Sequence, residues 1–251
     1  MGKVIGIFSA KGGVGKSLIA SNLGVAFRAG HKQRTAILDL TPGTGTVDLL
    51  LDLEPERTWL DLIPVVNELR PKHFQLSATP FRHGLDILAC PTETVFDKEI
   101  KKAQLHSLFT ALGNEYDLVV IDTHTGLGDM SRAAFEFANM RLVILTPDAP
   151  ALRSTSRYVE SWSNEDHRTG LVINQHSPGS AIEPQEIQDH LNHQILGVLP
   201  MDPGSTWKNV SYGEPCVLHK KSAFGKSLRQ LSTNVVKQLE QSSGEKITPE
   251  K

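Results

Sequence analysis

Short apolar runs and stretches with helical spacing alternate along this chain. The first run, Val4-Ile5-Gly6-Ile7-Phe8, has the length of a buried strand, and residues 18–27 then place apolar side chains at helical intervals. Further strands are predicted at residues 35–40, 84–90, 116–122, 141–146, 170–174 and 195–200, and further helices near residues 97–113, 130–138, 151–162, 183–193 and 222–239. Because strands that alternate with helices favour parallel pairing, the pattern predicts an α/β protein. We expect a mostly parallel central sheet flanked by helices on both faces.

The segment from residue 47 to residue 83 has a less regular pattern. Leu49-Leu50-Leu51 and residues 59–63 predict two short amphipathic helices there. No internal repeat, low-complexity block or linker divides the 251 residues. We therefore expect one domain over residues 1–240 and a polar, disordered tail over residues 241–251.

Composition and charge narrow the class of protein. The net charge of −2 gives no global argument for nucleic-acid binding. The two cysteines, Cys90 and Cys216, lie far apart and outside any metal-ligand spacing, which predicts thiols in a reducing compartment. The amino terminus has no signal-peptide pattern, and no apolar run approaches the length of a membrane span. These features predict a soluble cytoplasmic protein.

A glycine-rich loop joins the first predicted strand to the first predicted helix. Gly12, Gly13 and Gly15 allow the backbone to curl so that successive N–H groups face one anion. Lys16 can reach the β- and γ-phosphates of a nucleotide, and the Ser17 hydroxyl can ligate Mg²⁺. The alternative is a glycine-rich turn that binds nothing. The position of the loop between strand and helix favours a phosphate loop, although Ala10 stands where such loops usually have glycine.

Two aspartates follow predicted strands whose carboxyl ends face the same crevice. Asp39 lies near the end of the strand at residues 35–40, and Asp122 ends the strand at residues 116–122. Ligands in open α/β sheets bind at these strand ends. The pattern therefore predicts that Asp122 is a Walker B aspartate, which holds Mg²⁺ opposite Ser17. The alternative is that its carboxylate only caps the next turn.

The string Lys11-Gly12-Gly13-Val14-Gly15-Lys16-Ser17 resembles the deviant Walker A loop of the ParA/MinD family of P-loop ATPases. The resemblance implies a P-loop NTPase fold, ATP or ADP with Mg²⁺ as cofactors, and a homodimer when ATP is bound. It also implies that Lys11 crosses the dimer interface to the partner's nucleotide. Residues 50–55 and 84–91 look most like MinD-type positioning ATPases and the pilus-assembly ATPases related to CpaE and TadZ. The latter often carry a receiver-like domain ahead of the ATPase, and we expect none here.

Later segments extend the resemblance to roughly residues 2–236. Asn174 matches the asparagine that recognises adenine in the family, and Pro200, Met201 and Asp202 resemble the next base-contacting loop. The predicted site residues have three roles. The catalytic residues are Lys11, Lys16 and Asp39; the nucleotide-binding residues are Lys11, Gly12, Gly13, Val14, Gly15, Lys16, Ser17, Leu18, Asn174, Pro200, Met201 and Asp202; the metal ligands are Ser17, Asp39 and Asp122.

One position departs from the family pattern. The family usually has Asp-x-Asp at the second strand, whereas this chain reads Asp39-Leu40-Thr41. Threonine is a poor base, and proton transfer by a positioned group contributes about 10²–10⁴ to a rate. We therefore expect slow or impaired ATP hydrolysis, or hydrolysis that depends on Asp39, Asp48 or a partner protein.

The leading hypothesis is an ATP-dependent dimerisation switch that positions a pilus, flagellum, septum or DNA cargo. The alternatives are an ATP-bound scaffold with impaired catalysis and, less favoured, a metabolic P-loop enzyme. A protein partner is expected, and DNA is an option through Lys220, Lys221, Lys226, Arg229 and Lys237. The tail at residues 238–246 is too polar to bury an apolar face in lipid, which argues against membrane binding.

Overall fold

A computed structural model describes residues 1–92, 100–161 and 168–243 of the chain. Eight strands form one sheet: Lys3–Phe8 (β1), Thr35–Leu40 (β2), Thr79–Phe81 (β3), Leu85–Leu88 (β4), Leu118–Thr123 (β5), Met140–Leu145 (β6), Thr169–His176 (β7) and Ile195–Pro200 (β8). The α-helices are Lys16–His31 (α1), Pro71–Ser77 (α2), Lys102–Glu115 (α3), Asp129–Phe137 (α4), Ala149–Glu160 (α5), Pro184–Leu191 (α6), Pro203–Tyr212 (α7) and Ala223–Ser243 (α8). Short 3-10 helices lie at Leu49–Leu51, Trp59–Glu68, Arg82–Gly84 and Cys216–Leu218.

The strands are arranged in the order β3-β4-β2-β5-β1-β6-β7-β8. Every pair is parallel except β3 with β4. The strand β1 lies between β5 and β6, so the loop that follows it opens at the carboxyl edge of the sheet, where α/β proteins bind ligands. The predicted mostly parallel sheet is confirmed.

The sheet separates two hydrophobic clusters. On one face, α1 and α8 cover buried strand residues such as Ile5, Ile37 and Val120. On the other face, α3, α4 and the 3-10 helix Trp59–Glu68 cover Val4, Leu38 and others. Helices therefore flank both faces, as the sequence pattern predicts.

One strand and two α-helices of the described residues were not predicted from the sequence. The strand β3 has only three residues, contains Pro80 and pairs at the edge of the sheet, so it carries no periodic signal. Helices α2 and α7 begin at Pro71 and Pro203 and are short or mixed in polarity. Proline at the first helical position is favourable because its missing N–H has no partner there anyway.

The final helix runs past its predicted end. We expected it to stop near residue 239, but α8 continues to Ser243 and so takes in the first three residues of the expected tail. Residues 244–251, and residues 97–99 and 162 of two predicted helices, lie outside the described residues. Within the described parts of the chain, no helix has the length and apolar character needed to span a bilayer.

The two cysteines are free thiols, as expected. Burial and the nearby Asp39 carboxylate raise the pKa of Cys90 to about 11, and burial and Asp202 raise the pKa of Cys216 to about 12. Both side chains are therefore protonated at neutral pH, which disfavours a role as thiolate ligands.

Candidate functional site

The glycine-rich loop occupies residues 9–15, between β1 and α1. Gly13 and Gly15 have φ angles of 75° and 91°, a region that side chains with a Cβ rarely adopt. Gly15 directly precedes α1, and a Cβ there would lie 2.5 Å from the amide nitrogen of Asn174. Only glycine fits this turn, which leaves the amino terminus of α1 open for an anion.

Lys16, the first residue of α1, places a positive charge beside the loop. Its ammonium donates to the Ser9 hydroxyl at 2.9 Å and to the Thr125 hydroxyl at 3.0 Å. Burial lowers the pKa of Lys16, and the charge of Asp122 offsets part of this shift. The two partners are neutral hydroxyls, so a phosphate would be a stronger acceptor for this half-buried cation.

Asp122 lies at the end of β5, beside the start of α1. The side chain is fully buried, and neither carboxylate oxygen has a hydrogen-bond partner among the residues that the structure describes. Burial and the Asp39 charge raise the pKa of Asp122 to about 7, although the nearby Ser17 hydroxyl and Lys16 ammonium favour the charged form. A buried carboxylate without partners is costly, and a hard cation would satisfy it. Asp122 and Ser17 therefore fit a Mg²⁺ ion.

Asp39 lies opposite Asp122 in the register of β2 and β5. One carboxylate oxygen of Asp39 accepts from the Thr41 amide at 3.2 Å and from the Thr41 hydroxyl. The other accepts from the amides of Thr46 and Val47 at 3.1 and 3.2 Å. Burial raises the pKa of Asp39, and these hydrogen bonds oppose the shift. In this structure the side chain holds the loop at residues 41–47 against the sheet.

Thr41 is buried, and its hydroxyl is already used by Asp39. The Thr41 carbonyl accepts from the Cys90 thiol at 2.9 Å. The position where the family pattern has an acidic residue is therefore neutral and occupied by a local contact. A water molecule there would find no free base in the side chain of Thr41.

Lys11 lies at the surface rather than inside the phosphate cradle. Its ammonium lies 3.3 Å from the Asp148 carboxylate, and the two side chains are 45% and 37% exposed. Asp148 also caps α5 through the amide of Ala151. Burial opposes ionisation of Asp148, but hydrogen bonds from Thr146, Ala151 and Lys11 outweigh it and lower the pKa.

The predicted base-binding residues divide into two groups. Asn174, at the end of β7, donates to the Val14 carbonyl at 2.8 Å, and its own carbonyl oxygen is buried without a partner among the described residues. That oxygen can accept an N–H of a base. Asp202 instead caps α7 through the Ser205 amide and accepts from the Ser222 hydroxyl at 3.0 Å. Pro200 ends β8, and Met201 is exposed beside it.

The structure brings most of the predicted site together at one edge of the sheet. Lys16, Ser17, Asp122 and Asp39 lie side by side, and Asn174 contacts the loop at Val14. Of the other predicted nucleotide-binding residues, Gly12 faces Thr125, and Leu18, in the first turn of α1, packs against the core. The sequence did not single out Ser9 and Thr125 as partners of Lys16, or the amides of Thr46 and Val47 as partners of Asp39. The sequence could have identified Thr125 as a partner of Lys16, because it lies three residues after Asp122 and so near the carboxyl edge of the sheet.

Only part of the predicted basic patch near the carboxyl end is exposed to solvent. Lys220, Lys221, Lys226 and Lys237 are exposed. Arg229 is half-buried and donates to the Val217 carbonyl, so it serves the packing of α8. DNA contact through the remaining four lysines stays a prediction.

Among the residues that the structure describes, no group of three or more His, Cys, Asp or Glu side chains is arranged to hold a metal. An ion at Asp122 and Ser17 would thus take its other ligands from phosphate and water, as Mg²⁺ commonly does.

A family model described as "ParA: NUBPL iron-transfer P-loop NTPase" matches residues 1–236. The chain is 28% identical over 244 residues to the septum site-determining protein MinD of Bacillus subtilis (strain 168), covering 94% of this chain and 90% of that protein. It is 30% identical over 217 residues to the septum site-determining protein MinD of Helicobacter pylori, covering 80% of this chain and 79% of that protein.

Two solved structures have the same fold. MinD complexed with Mg-ADP from Pyrococcus horikoshii OT3 matches with a TM-score of 0.82 at 20% identity, covering 97% of this chain and 99% of that chain. The MinC:MinD cell division protein complex of Aquifex aeolicus matches with a TM-score of 0.79 at 21% identity, covering 93% of this chain and 95% of that chain.

Proposed function

The chain belongs to the ParA family of P-loop NTPases, and from this premise we propose that it is an ATP-dependent dimerisation switch that positions a cellular assembly. Curated relatives are named septum site-determining proteins, which makes the division septum the first assembly to consider. In the proposed cycle the ATP-bound form is a homodimer that recruits a protein partner.

The charged and unpaired polar groups of the site are suited to bind ATP and Mg²⁺. The loop amides and Lys16 would hold the β- and γ-phosphates, and Asp122 and Ser17 would hold the metal. The bound metal would neutralise charge on the phosphates. Asn174 would bind the base through its free carbonyl oxygen, next to Val14 of the loop.

The observation that carries the proposed dimer is the position of Lys11. A lysine that served only its own phosphate site would point into the cradle, as Lys16 does. Lys11 instead lies exposed against Asp148. Exposed ion pairs contribute about 0–1 kcal/mol, so Lys11 can leave Asp148 at little cost and contact a nucleotide on a second subunit.

A buried Asp122 makes the stability of the nucleotide-free protein depend on pH. The pKa is raised from 3.8 to about 7, so between about pH 4 and pH 7 the folded state holds a proton that the unfolded state has lost. Stability therefore falls as the pH rises through this window. We expect Asp122→Asn to flatten that fall and to raise the free energy of unfolding at pH 8 by up to a few kcal/mol.

Urea unfolding at pH 4.5 and pH 8 in the presence of a chelator measures this effect. Asp189→Asn, which changes an exposed carboxylate, is the matched control and should follow the parent at both pH values. If Asp122→Asn lost stability at pH 8 as steeply as the parent, the raised pKa would be wrong.

Turnover is expected to be slow, because Thr41 supplies no free base and Asp39 is occupied by four donors. An ATP-bound scaffold that hydrolyses nothing is the second candidate, and the neutral Thr41 is the observation that favours it. Single-turnover hydrolysis separates the two candidates.

Thr41→Asp should raise the single-turnover rate of hydrolysis by about tenfold or more, since it restores an acidic group beside the site. The variant should also be less stable at neutral pH, because it would add another carboxylate beside Asp39 and Asp122. Thr41→Val, which keeps the shape and removes the hydroxyl, is the control and should not be faster than the parent. An unchanged rate in Thr41→Asp, with ATP still bound, would show that residue 41 does not limit turnover.

A further inference from the structure

Two hydroxyls accept hydrogen bonds from the ammonium of Lys16, and they differ in where their own protons can go. Ser9 is fully buried, accepts from Lys16 at 2.9 Å and donates to the Lys11 carbonyl at 2.8 Å. Thr125 is exposed and accepts from Lys16 at 3.0 Å, and its own proton has no acceptor among the residues that the structure describes. A hydroxyl has one proton to donate. Ser9 has used its proton, whereas Thr125 can donate to a ligand.

The residue after Thr125 holds this segment against the phosphate loop. The Gly126 amide donates to the Ser9 carbonyl at 3.0 Å. Gly126 has a φ angle of 81°, a region that favours glycine. Because this bond uses the Gly126 amide, that amide is not free for a phosphate. The donor that the bond leaves free beside Lys16 is the hydroxyl of Thr125.

Thr125 and Asn174 lie at opposite ends of the phosphate loop. A Cβ built on Gly12 would lie 3.8 Å from the Thr125 hydroxyl. Asn174 instead contacts the loop at Val14 and Gly15. In the proposed site Asn174 holds the base, so the phosphate chain would run from Val14 towards Gly12. The terminal phosphate is the part of the chain furthest from the base, and it would therefore lie closest to Thr125.

We propose that Thr125 binds the terminal phosphate of ATP and thereby sets the preference of the site for ATP over ADP. Its hydroxyl donates to an oxygen of the γ-phosphate, which Lys16 binds as well. ADP has no phosphate at this position, so with ADP the hydroxyl makes no such bond. This role rests on the proposed function, in which the chain binds ATP and only the ATP-bound form is a dimer.

The alternative role for Thr125 is to orient Lys16 alone. Loss of the hydroxyl would then weaken the binding of ATP and of ADP by the same factor, because Lys16 reaches phosphates that the two nucleotides share. Direct contact with the terminal phosphate instead predicts a loss for ATP only. The ratio of the two affinities therefore separates the two roles.

Isothermal titration of the full chain with a slowly hydrolysed ATP analogue and with ADP, each with Mg²⁺, measures this ratio. Thr125→Val keeps the shape of the side chain and removes the hydroxyl. We expect it to lower the affinity for the ATP analogue by about tenfold or more, which is the effect of losing a hydrogen bond to a charged group. The affinity for ADP should stay within about twofold of the parent's. Thr125→Ser, which keeps the hydroxyl, should keep most of the preference for the ATP analogue.

Two control variants accompany this titration. Thr110→Val removes the hydroxyl of an exposed threonine on α3 and should bind both nucleotides as the parent does. Ser9→Ala removes the other hydroxyl partner of Lys16. Because the Ser9 proton is used by the Lys11 carbonyl, this variant should change both affinities by the same factor and keep the parent's ratio. Since Thr125 is exposed, its variants should keep the parent's circular dichroism spectrum and unfolding midpoint.

Three results would overturn the role of Thr125. In the first, Thr125→Val keeps the parent's affinity for the ATP analogue. In the second, it loses affinity for the analogue and for ADP by the same factor, and in the third, Ser9→Ala shifts the ratio as far as Thr125→Val does. In these cases the parent still binds nucleotide, so the proposed function stands. If the parent binds neither nucleotide, the proposed function fails, and the role of Thr125 fails with it.

Discussion

Replacement of Lys16 with alanine is expected to lower the affinity for MgATP by at least about 100-fold. The ammonium lies 2.9 and 3.0 Å from two hydroxyls that are weak partners for it, and its pKa is lowered by burial. Charge-assisted hydrogen bonds contribute about 1.5–3 kcal/mol each, and two such bonds to phosphate exceed the 2.7 kcal/mol that corresponds to about 100-fold. Isothermal titration with MgATP measures the loss.

The matched control is Lys72→Ala, which removes an exposed lysine on α2 and should leave the affinity unchanged. Lys16→Ala should change the stability of the nucleotide-free protein little, because the hydrogen-bond partners of the cation are neutral hydroxyls and its burial offsets the attraction of Asp122. An affinity within threefold of the parent would show that the phosphates do not lie against Lys16.

The second large effect is expected from Lys11→Ala, which should abolish ATP-dependent dimerisation and leave the affinity of the monomer for MgATP within about threefold. Lys11 contacts Asp148 at the surface and none of the groups that hold Lys16. Its loss therefore spares the subunit's own phosphate site. A charge on the nucleotide of the second subunit would lose its buried partner, a change that typically costs several kcal/mol.

Two further variants serve as controls for this result. Lys72→Ala should dimerise like the parent, and Lys11→Arg should retain part of the dimer because it keeps the charge but changes the donor geometry. If Lys11→Ala dimerised with MgATP as well as the parent, Lys11 would have no role across an interface. If it lost ATP binding altogether, Lys11 would belong to the phosphate site of its own subunit.

The sequence predicts the fold well where a local pattern corresponds to a local structure. Strands such as Thr35–Leu40 and Leu118–Thr123 are buried on both faces of a parallel sheet, so they are largely apolar and easy to recognise. The glycines also predict the loop from the sequence, because Gly13 and Gly15 adopt φ angles that only glycine tolerates well. The edge strand at Thr79–Phe81 has no such signal.

The contacts that decide how the site behaves connect residues far apart in the chain. Lys11 pairs with Asp148, Lys16 with Thr125 and Asn22 with Asn209, and no periodicity of apolar residues encodes such pairs. The family resemblance supplies Lys11 as a candidate and the strand pattern supplies Asp122, but neither gives the surroundings of these residues. That Asp39 holds the loop at residues 41–47, and that Asp202 caps a helix, follows only from the coordinates.

The most direct test of the central claim is the mass of the parent protein in solution, measured by size-exclusion chromatography with light scattering at micromolar concentration. We expect the mass of one chain, 27.6 kDa, without nucleotide or with MgADP, and about twice that mass with MgATP. A slowly hydrolysed ATP analogue should give the same dimer. A mass of one chain under every condition, in a protein shown by titration to bind MgATP, would contradict the switch.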